Sequence, residues 1–339
     1  RIGFRRTLAS AYLILTIGYF LLGSLSADFL APLREAVPLY WFVLAILMVP
    51  ALGPGVVKPV VAGTTARAST EQVRALGFSI YYTIVNIGGT LGPLMAFFVR
   101  RTLGLEYVFR VSALFTAAMF VVTILFFREP ARSETSQPTT VGQAIRNLFV
   151  VFGNLKFIAF LLIFSGFYVV FWQQYVALPL FLRRLNPEAN VDLLLMVDPA
   201  TVILFTFLIS YLTRGAPTFL ALTVGVAISG LSWLLLMVSA TTLFVIVALF
   251  VLALGEIVVS PRYYDYVSRL APVGQQGLYM GFSFLPVAVG DLVGSPLGGW
   301  MVSHFGQDGR RLEHMWLVAA GVGLLTAALM FVYDRMVRR

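Results

Sequence analysis

Long, uninterrupted runs of apolar residues constrain this chain more than any other feature of its sequence. About 20 apolar residues form a helix long enough to cross the hydrocarbon core of a bilayer. No run shows the strict alternation of a transmembrane β-strand, so the sequence predicts an all-α, polytopic membrane protein embedded in lipid. Ten runs reach this length, at roughly 7–26, 37–62, 76–100, 107–127, 155–182, 193–212, 217–238, 241–261, 277–303 and 314–334.

The composition excludes several other classes of protein. Hydrophobic residues make up 59% of the 339 residues and charged residues only 12%, whereas soluble proteins are nearer half apolar and a quarter charged. This balance excludes disordered chains, coiled coils and soluble α/β enzymes. The net charge of +9 fits the excess of Lys and Arg in cytoplasmic loops, so we expect no nucleic-acid partner.

Motifs of catalysis and cofactor binding are missing from the sequence. It has no Cys, no Walker motif, no nucleophile elbow and no dinucleotide fingerprint. The two histidines, His304 and His314, lack metal-ligand spacing. We therefore expect a protein that is not an enzyme and holds neither a metal nor a cofactor.

One long polar joint divides the chain. It predicts an N-terminal bundle of four helices over 1–127, a cytoplasmic linker over 128–154 and a C-terminal bundle of six helices over 155–339. Lys and Arg are more numerous on the side that holds both termini and the linker, so both termini are expected in the cytoplasm. The basic start of the chain resembles the first part of a signal peptide, but the apolar run after it is too long, which favours a loop end.

The two halves of the chain contain an internal repeat. Each half has an even number of matched helices, so the halves are parallel repeats. The helices at 155–182 and 193–212 have no counterparts in the first half, and we expect this chain to hold ten of twelve helices, lacking the first two. Four motifs recur 202 to 207 residues apart: Leu15–Gly18 and Leu222–Gly225, Val56–Pro59 and Val258–Pro261, Gly77–Ser79 and Gly281–Ser283, and Pro93–Leu94 and Pro296–Leu297.

Four ionisable side chains lie inside the predicted spans: Lys58, Asp198, Glu256 and Asp291. A charge in hydrocarbon costs about 2.5–3.5 kcal/mol on insertion scales, so it normally faces the bundle interior and is paired. At the repeat offset, Lys58 corresponds to position 260, one turn from Glu256. We predict an ion pair across the two bundles that forms in one conformation and breaks in another. The alternative is a static pair that fixes helix register.

The two aspartates each allow two interpretations. Asp198, followed by Pro199, either binds a cation or titrates, or it caps a helix that starts at the proline. Asp198, Glu256 and Asp291 are the candidates for proton coupling, and the alternative for Asp291 is only a hydrogen bond to a neighbouring backbone. Its helix also carries a small-xxx-small stripe typical of close helix packing, at Gly290, Gly294 and Gly298.

Neutral polar residues in the spans complete the set of candidates. Tyr82 and Asn86 lie one turn apart beside glycines, where the Asn either binds substrate or joins two helices. Trp172, Gln173 and Gln174 put an indole N–H and two amides in the middle of a span. The paired amides need partners there and so favour a polar cavity.

The segments around Lys58, Asn86 and Glu256 together resemble signatures of the major facilitator superfamily, and within it of the proton-coupled oligopeptide transporters. The start of the chain, Arg1–Arg6, is similar to the end of the superfamily's loop motif between helices two and three. The three segments match signatures of the fourth, fifth and tenth helices: Gly53-Pro-Gly-Val-Val-Lys58-Pro59, Phe78-Ser-Ile-Tyr-Tyr82-Thr-Ile-Val-Asn86-Ile-Gly88 and Gly255-Glu256-Ile-Val-Val-Ser260-Pro261.

The resemblance implies alternating access around a central site, driven by a proton gradient. It implies gating or substrate-carboxylate binding for Lys58 and Glu256, and peptide contact for Asn86; Ser260 belongs to the same tenth-helix motif. The family's acid before the paired Gln is replaced by Trp172, and Asp198 stands where the family usually has Asn. We therefore hypothesise that the acid has moved to Asp198.

The resulting interpretation is a monomeric secondary transporter of the cell membrane that takes up small peptides or related organic solutes with protons. An exporter or drug antiporter of the same superfamily is the alternative within the transporter class. A non-transporting receptor or scaffold on the same fold is the alternative outside it.

Removal of Lys58 or Glu256 separates a transporter from a scaffold. We expect Lys58→Gln and Glu256→Gln to abolish substrate counterflow in proteoliposomes while the protein stays folded, because each leaves an intramembrane charge without its partner. A scaffold tolerates both changes with only a difference in thermal stability. Wild-type counterflow in either variant would contradict the gating role.

Overall fold

The computed structural model describes residues 3–68, 74–129, 142, 149–270, 276–307 and 311–337. Within these ranges every regular element is a helix, and short 3₁₀ helices lie at Asp28–Leu30, Trp172–Gln174 and Leu312–Met315. The α-helices are α1 (Phe4–Leu22), α2 (Ala31–Ala36), α3 (Leu39–Ala68), α4 (Arg74–Thr102), α5 (Leu105–Phe126), α6 (Leu155–Phe171), α7 (Ala177–Leu185), α8 (Val191–Leu194), α9 (Val197–Leu212), α10 (Thr218–Ser232), α11 (Leu235–Val238), α12 (Thr242–Leu270), α13 (Gln276–Phe282), α14 (Leu285–Phe305) and α15 (Trp316–Val337).

The predicted all-α, polytopic fold is confirmed. In the described part of the chain, nine helical segments are long and apolar enough to cross a membrane. They fall on nine of the ten apolar runs of the sequence. The remaining run forms α1, a helix of 19 residues that is not among the nine. Most of the predicted linker over 128–154 lies outside the described residues.

The chain divides into two compact units, 1–85 with 94–138 and 86–93 with 139–339. In the first unit, α1 packs against α3 and α5. Glycine makes the contact with α3 possible, since a Cβ on Gly18 would lie 2.6 Å from Cδ of Pro50. The positions of the predicted domain boundaries stay a prediction.

The second unit is built around α6, which packs against α10, α14 and α15. Aromatic stacking organises its core. The rings of Phe164 and Tyr263 stack at 4.2 Å, and those of Trp233 and Trp316 at 4.6 Å. The indole N–H of Trp233 also donates to the carbonyl of Val170, at 3.2 Å. Two further contacts, of α12 with α9 and with α10, bring the candidate acids into this unit.

Proline interrupts two of the spanning segments of the second unit. Pro179, in the first turn of α7, has no N–H for the carbonyl of Tyr175 and would clash with it in a continuous helix. The chain therefore leaves α6 at Phe171 and forms the 3₁₀ turn Trp172–Gln174. Pro286 likewise separates α13 from α14. The matching stretch of the first half has no proline before Pro93, and α4 runs unbroken from Arg74 to Thr102.

We expect the contact between α10 and α15 to fail when a methyl group is added to it. A Cβ on Gly323 would lie 2.5 Å from Cα of Gly230, whereas a Cβ on Gly321 of the same helix meets nothing within 4 Å. Overpacking costs about 1–3 kcal/mol, so Gly323→Ala should lower the thermal unfolding temperature of the detergent-purified protein.

Gly321→Ala is the matched control, because alanine favours an open helical position by about 0.5–1 kcal/mol. It should leave the unfolding temperature unchanged or raise it slightly. Tryptophan fluorescence reports the transition, since Trp233 and Trp316 stack within the same unit. Equal effects of the two substitutions would contradict the close packing.

Candidate functional site

Asp198 is a buried acid of the second unit, with 3% of its surface exposed. The helix α9 begins at Val197, so Asp198 lies in its first turn, where the helix dipole favours a negative charge. The N-cap is Met196, and no side chain caps the helix. The carboxyl group is therefore available to other elements, and the interpretation of Asp198 as a cap is not the one the structure adopts.

Gln174 supplies a hydrogen bond to this carboxyl group. Its Nε2 donates to Oδ2 of Asp198 at 3.2 Å, and its side chain is fully buried. The donor comes from the 3₁₀ turn at the proline break, which directs the amide toward α9. The break in the span thus positions a neutral donor beside an acid in the membrane.

Glu256 is the second acid of the site. It lies half-buried on α12, and its side chain is within hydrogen-bonding reach of Asp198. Oδ1 of Asp198 receives no hydrogen bond from any described donor. An ionised carboxylate has no hydrogen to donate, so two ionised acids cannot form a hydrogen bond with each other. A hydrogen bond between the two carboxyl groups therefore requires one proton on the pair. Two ionised carboxylates about 4 Å apart repel by about 4 kcal/mol at an effective dielectric constant of about 20.

Aromatic side chains line the same break. The rings of Trp172 and Tyr175 lie 5.5 Å apart, and Phe171 contacts both. Tyr175 lies within electrostatic range of both Asp198 and Glu256 and is 42% exposed. Nε1 of Trp172 is buried without a hydrogen-bond acceptor among the described residues. The pair thus has aromatic neighbours, one of which, Tyr175, is partly exposed.

The chain matches the family model of the Major Facilitator Superfamily over residues 1–290. The chain belongs to the major facilitator superfamily. An uncharacterised MFS-type transporter of Bacillus subtilis, YttB, is 25% identical over 305 residues, which is 87% of this chain and 73% of the relative. The multidrug resistance protein MdtH of Klebsiella pneumoniae is 24% identical over 288 residues, 81% of this chain and 67% of the relative.

Solved structures show the same fold for this major facilitator protein. A crystal structure of a POT family transporter with a thioalcohol-conjugated peptide matches 100% of this chain and 83% of its own, with a TM-score of 0.79 and 17% identity. Another, with 5-aminolevulinic acid, has a TM-score of 0.77 at 15% identity and the same coverage. Family and fold are those of transporters and not of enzymes. Among the described residues, no group of three or more His, Cys, Asp or Glu side chains is arranged to hold a metal.

Gln173 differs from its neighbour Gln174 in this transporter. Its Nε2 donates to the carbonyls of Val169, at 2.7 Å, and Gly294, at 3.0 Å. The contact joins the end of α6 to α14, and glycine at 294 lets the two backbones approach. The amide of Gln173 therefore holds two helices together, whereas that of Gln174 contacts an acid.

The remaining predicted residues do not all lie at the pair. Ser260 is half-buried on α12, one turn after Glu256. Asp291 is exposed and accepts a hydrogen bond from Ser295 of its own helix, at 2.9 Å. Lys58 is exposed and belongs to the first unit, so its ion pair with Glu256 stays a prediction.

Two predicted residues lie on α4. Asn86 is half-buried, and its carbonyl accepts a hydrogen bond from Thr90 at 3.0 Å. The side chain of Tyr82 lies outside the described residues. Their predicted roles in substrate binding stay predictions.

The sequence alone does not predict the contact between Asp198 and Glu256, nor the position of Tyr175 near both acids. The sequence indicates each acid singly as a proton-coupling candidate, but the internal repeat pairs Glu256 with Lys58. Charges inside membrane spans normally have partners. This rule applies to Asp198 as well as to Glu256, and it is the signal in the sequence that could have indicated their pairing.

The two adjacent glutamines should respond differently to loss of their amides. Methionine keeps the length of the side chain without a donor. We expect Gln173→Met to lower thermal stability, because loss of a buried hydrogen bond costs about 1–3 kcal/mol, with uptake falling only in proportion to folded protein. Gln174→Met should lower transport per folded molecule, because Asp198 loses its donor.

Each variant is the control for the other. Thermal unfolding in detergent and uptake into proteoliposomes, normalised to folded protein, measure the two effects separately. The same loss of normalised uptake in both variants would contradict the assignment.

Proposed function

We propose that this transporter is a secondary carrier that couples proton movement to the uptake of small peptides or related organic solutes by alternating access. The proton gradient is its driving force, and it needs no cofactor. The carboxyl pair of Asp198, which is buried, and Glu256, which is half-buried, is the observation that carries the proposal, since a hydrogen bond between two carboxyl groups depends on a proton.

The pair links proton binding to helix position. With one proton present, the carboxyl groups form a hydrogen bond between α9 and α12. Without it they repel each other, and the state in which the helices hold the acids together is disfavoured. A ligand shifts a conformational equilibrium by its difference in affinity for the two states. The proton is such a ligand for the arrangement in which α9 and α12 bring the acids together.

The fold supports uptake of peptides or related solutes, since the matched POT family structures were crystallised with a conjugated peptide and with 5-aminolevulinic acid. The second candidate is a proton-driven drug exporter, favoured by the sequence relative named as a multidrug resistance protein. Both candidates use the same proton pair, and the substrate separates them.

The surroundings of the protein follow from the same proposal. We expect it in the cell membrane as a monomer, with both termini in the cytoplasm, where the excess of Lys and Arg favours them. The lipid bilayer, the solute and protons are its partners.

Loss of the shared proton should separate driven uptake from exchange. We expect wild-type protein in proteoliposomes to accumulate labelled di- and tripeptides under an imposed pH gradient. Asp198→Asn should abolish that accumulation and leave peptide exchange at equal pH, because an amide keeps the size of the side chain but cannot release a proton.

The control is Asp265→Asn. Asp265 lies on the same helix as Glu256, and its Oδ2 forms a salt bridge with Nη2 of Arg269 at 2.9 Å. An exposed pair of this kind contributes about 0.3–0.5 kcal/mol, so uptake should stay near wild type. Unchanged driven uptake in Asp198→Asn would overturn the proton pair. Failure to move peptides, with proton-driven export of a lipophilic cation, would favour the exporter.

A further inference from the structure

Arg262 joins the two helices that carry the acids. It lies on α12, six residues after Glu256, and its Nη2 donates to the carbonyl of Thr213 at 2.7 Å and to the hydroxyl of Thr213 at 2.8 Å. Thr213 is the C-cap of α9. The guanidinium group therefore connects α12 to the end of α9, the helix that begins beside Asp198.

The hydrogen bonds of Arg262 are of a kind that can hold α12 and the end of α9 together. The last carbonyls of a helix lack intrahelical donors, and a cation there is favoured by the helix dipole. Nη1 of Arg262 also donates to the carbonyl of Val258, at 3.1 Å, next to the position where Pro261 weakens α12. The described hydrogen bonds of Arg262 thus go to the carbonyl and hydroxyl of Thr213 at the end of α9 and to the carbonyl of Val258 on α12, with no carboxylate among them.

The position of the link makes the carboxyl pair sensitive to it. Fifteen residues separate Asp198 from Thr213, which is about 22 Å along a helix that rises about 1.5 Å per residue. A tilt of α9 by about 5° at this end moves Asp198 by about 2 Å at that rise. Between the two ends, the described aromatic contact of α9 with α12 is that of Phe205 and Phe250, with ring centroids 5.5 Å apart. Such a contact tolerates sliding better than a fork of hydrogen bonds.

We propose that Arg262 is a positioning residue: it ties the end of α9 to α12 and so sets the separation of the Asp198 and Glu256 carboxyl groups. The proposal rests on the proton-coupled function above. The hydrogen bonds described for Arg262 go to Thr213 and Val258. Arg262 acts through the tilt of the helix, and loss of the link lets the acids separate and weakens their hold on the shared proton.

The acids, the donor and the phenol that surround the shared proton come from three packed elements. Asp198 lies on α9 and Glu256 on α12, while Gln174 and Tyr175 come from the break between α6 and α7. Arg262 changes the distance between α9 and α12 and leaves the break between α6 and α7 in place.

The test compares driven uptake with exchange in Arg262→Gln. Glutamine cannot reach both helices with three donated hydrogen bonds. We expect proton-driven peptide uptake to fall on the order of tenfold or more, since a misplacement of about 1 Å costs up to about a hundredfold in a reacting group. Exchange at equal pH should stay within about twofold. The pH of half-maximal uptake should move to lower values.

Three further variants identify how Arg262 acts. Arg262→Lys, which keeps the charge at the helix end, should restore part of the driven uptake. Thr213→Val, which removes one acceptor and keeps the backbone carbonyl, should give an intermediate loss. Arg269→Gln, on the same helix with an exposed partner, is the control and should behave like wild type.

The double variant Arg262→Gln/Asp198→Asn decides between positioning and general stability. If Arg262 acts through the pair, the double variant exchanges peptide at equal pH at the rate of Asp198→Asn alone, because substitutions in one coupled unit are not additive. A further loss of exchange in the double variant, or an equal loss of exchange and driven uptake in Arg262→Gln, would overturn the proposal.

The outcome for wild type separates the two proposals. No proton-driven uptake by wild-type protein overturns the proposed function and the positioning role with it. Wild-type uptake together with full activity of Arg262→Gln and of Thr213→Val overturns the positioning role alone.

Discussion

The structure of the second unit depends on the repulsion between two neighbouring acids, which is strong in an interior of low dielectric constant. Asp198 and Glu256 are within hydrogen-bonding reach of each other, and the repulsion between two charges exceeds the free energy of most single contacts in a protein. One proton removes that repulsion and supplies the hydrogen bond. The packing of α9 on α12, the donor from Gln174 and the aromatic neighbours at Trp172 and Tyr175 all meet at this pair.

Helix breaks provide the polar groups that such a site needs. Proline removes a backbone hydrogen bond wherever it interrupts a span, and in hydrocarbon the backbone near the break is stabilised by side-chain donors. Near Pro286 the hydroxyl of Tyr263 donates to the carbonyl of Ser283 at 2.7 Å, and beside Pro261 the guanidinium of Arg262 contacts that of Val258. Near Pro179 the turn instead presents Gln174 to Asp198. The same local defect thus serves packing in two places and the acid pair in the third.

The fold was predictable from the sequence because each spanning helix needs a long apolar run, and such runs are easy to recognise. The acids were found singly for a related reason, since ionisable residues in spans are few. Their pairing was not found. The internal repeat relates α3 to α12 and so predicts Lys58 as the partner of Glu256, whereas α9 has no counterpart in the first half. The role of Arg262 was equally hidden, because a charged residue near a span end is ordinary until its acceptors are known.

The contact between the two acids also determines which solutes can be coupled to proton binding. A proton that favours one arrangement of α9 and α12 is itself held more tightly in that arrangement, because the linkage is reciprocal. A solute that contacts either helix changes proton affinity only if it binds the two arrangements differently. Uptake and export can therefore use one carboxyl pair, and their difference lies in which arrangement the solute prefers. In the proposed carrier, the direction of transport is then a property of the solute contacts, while the proton gradient supplies the driving force and the pair couples the solute to it.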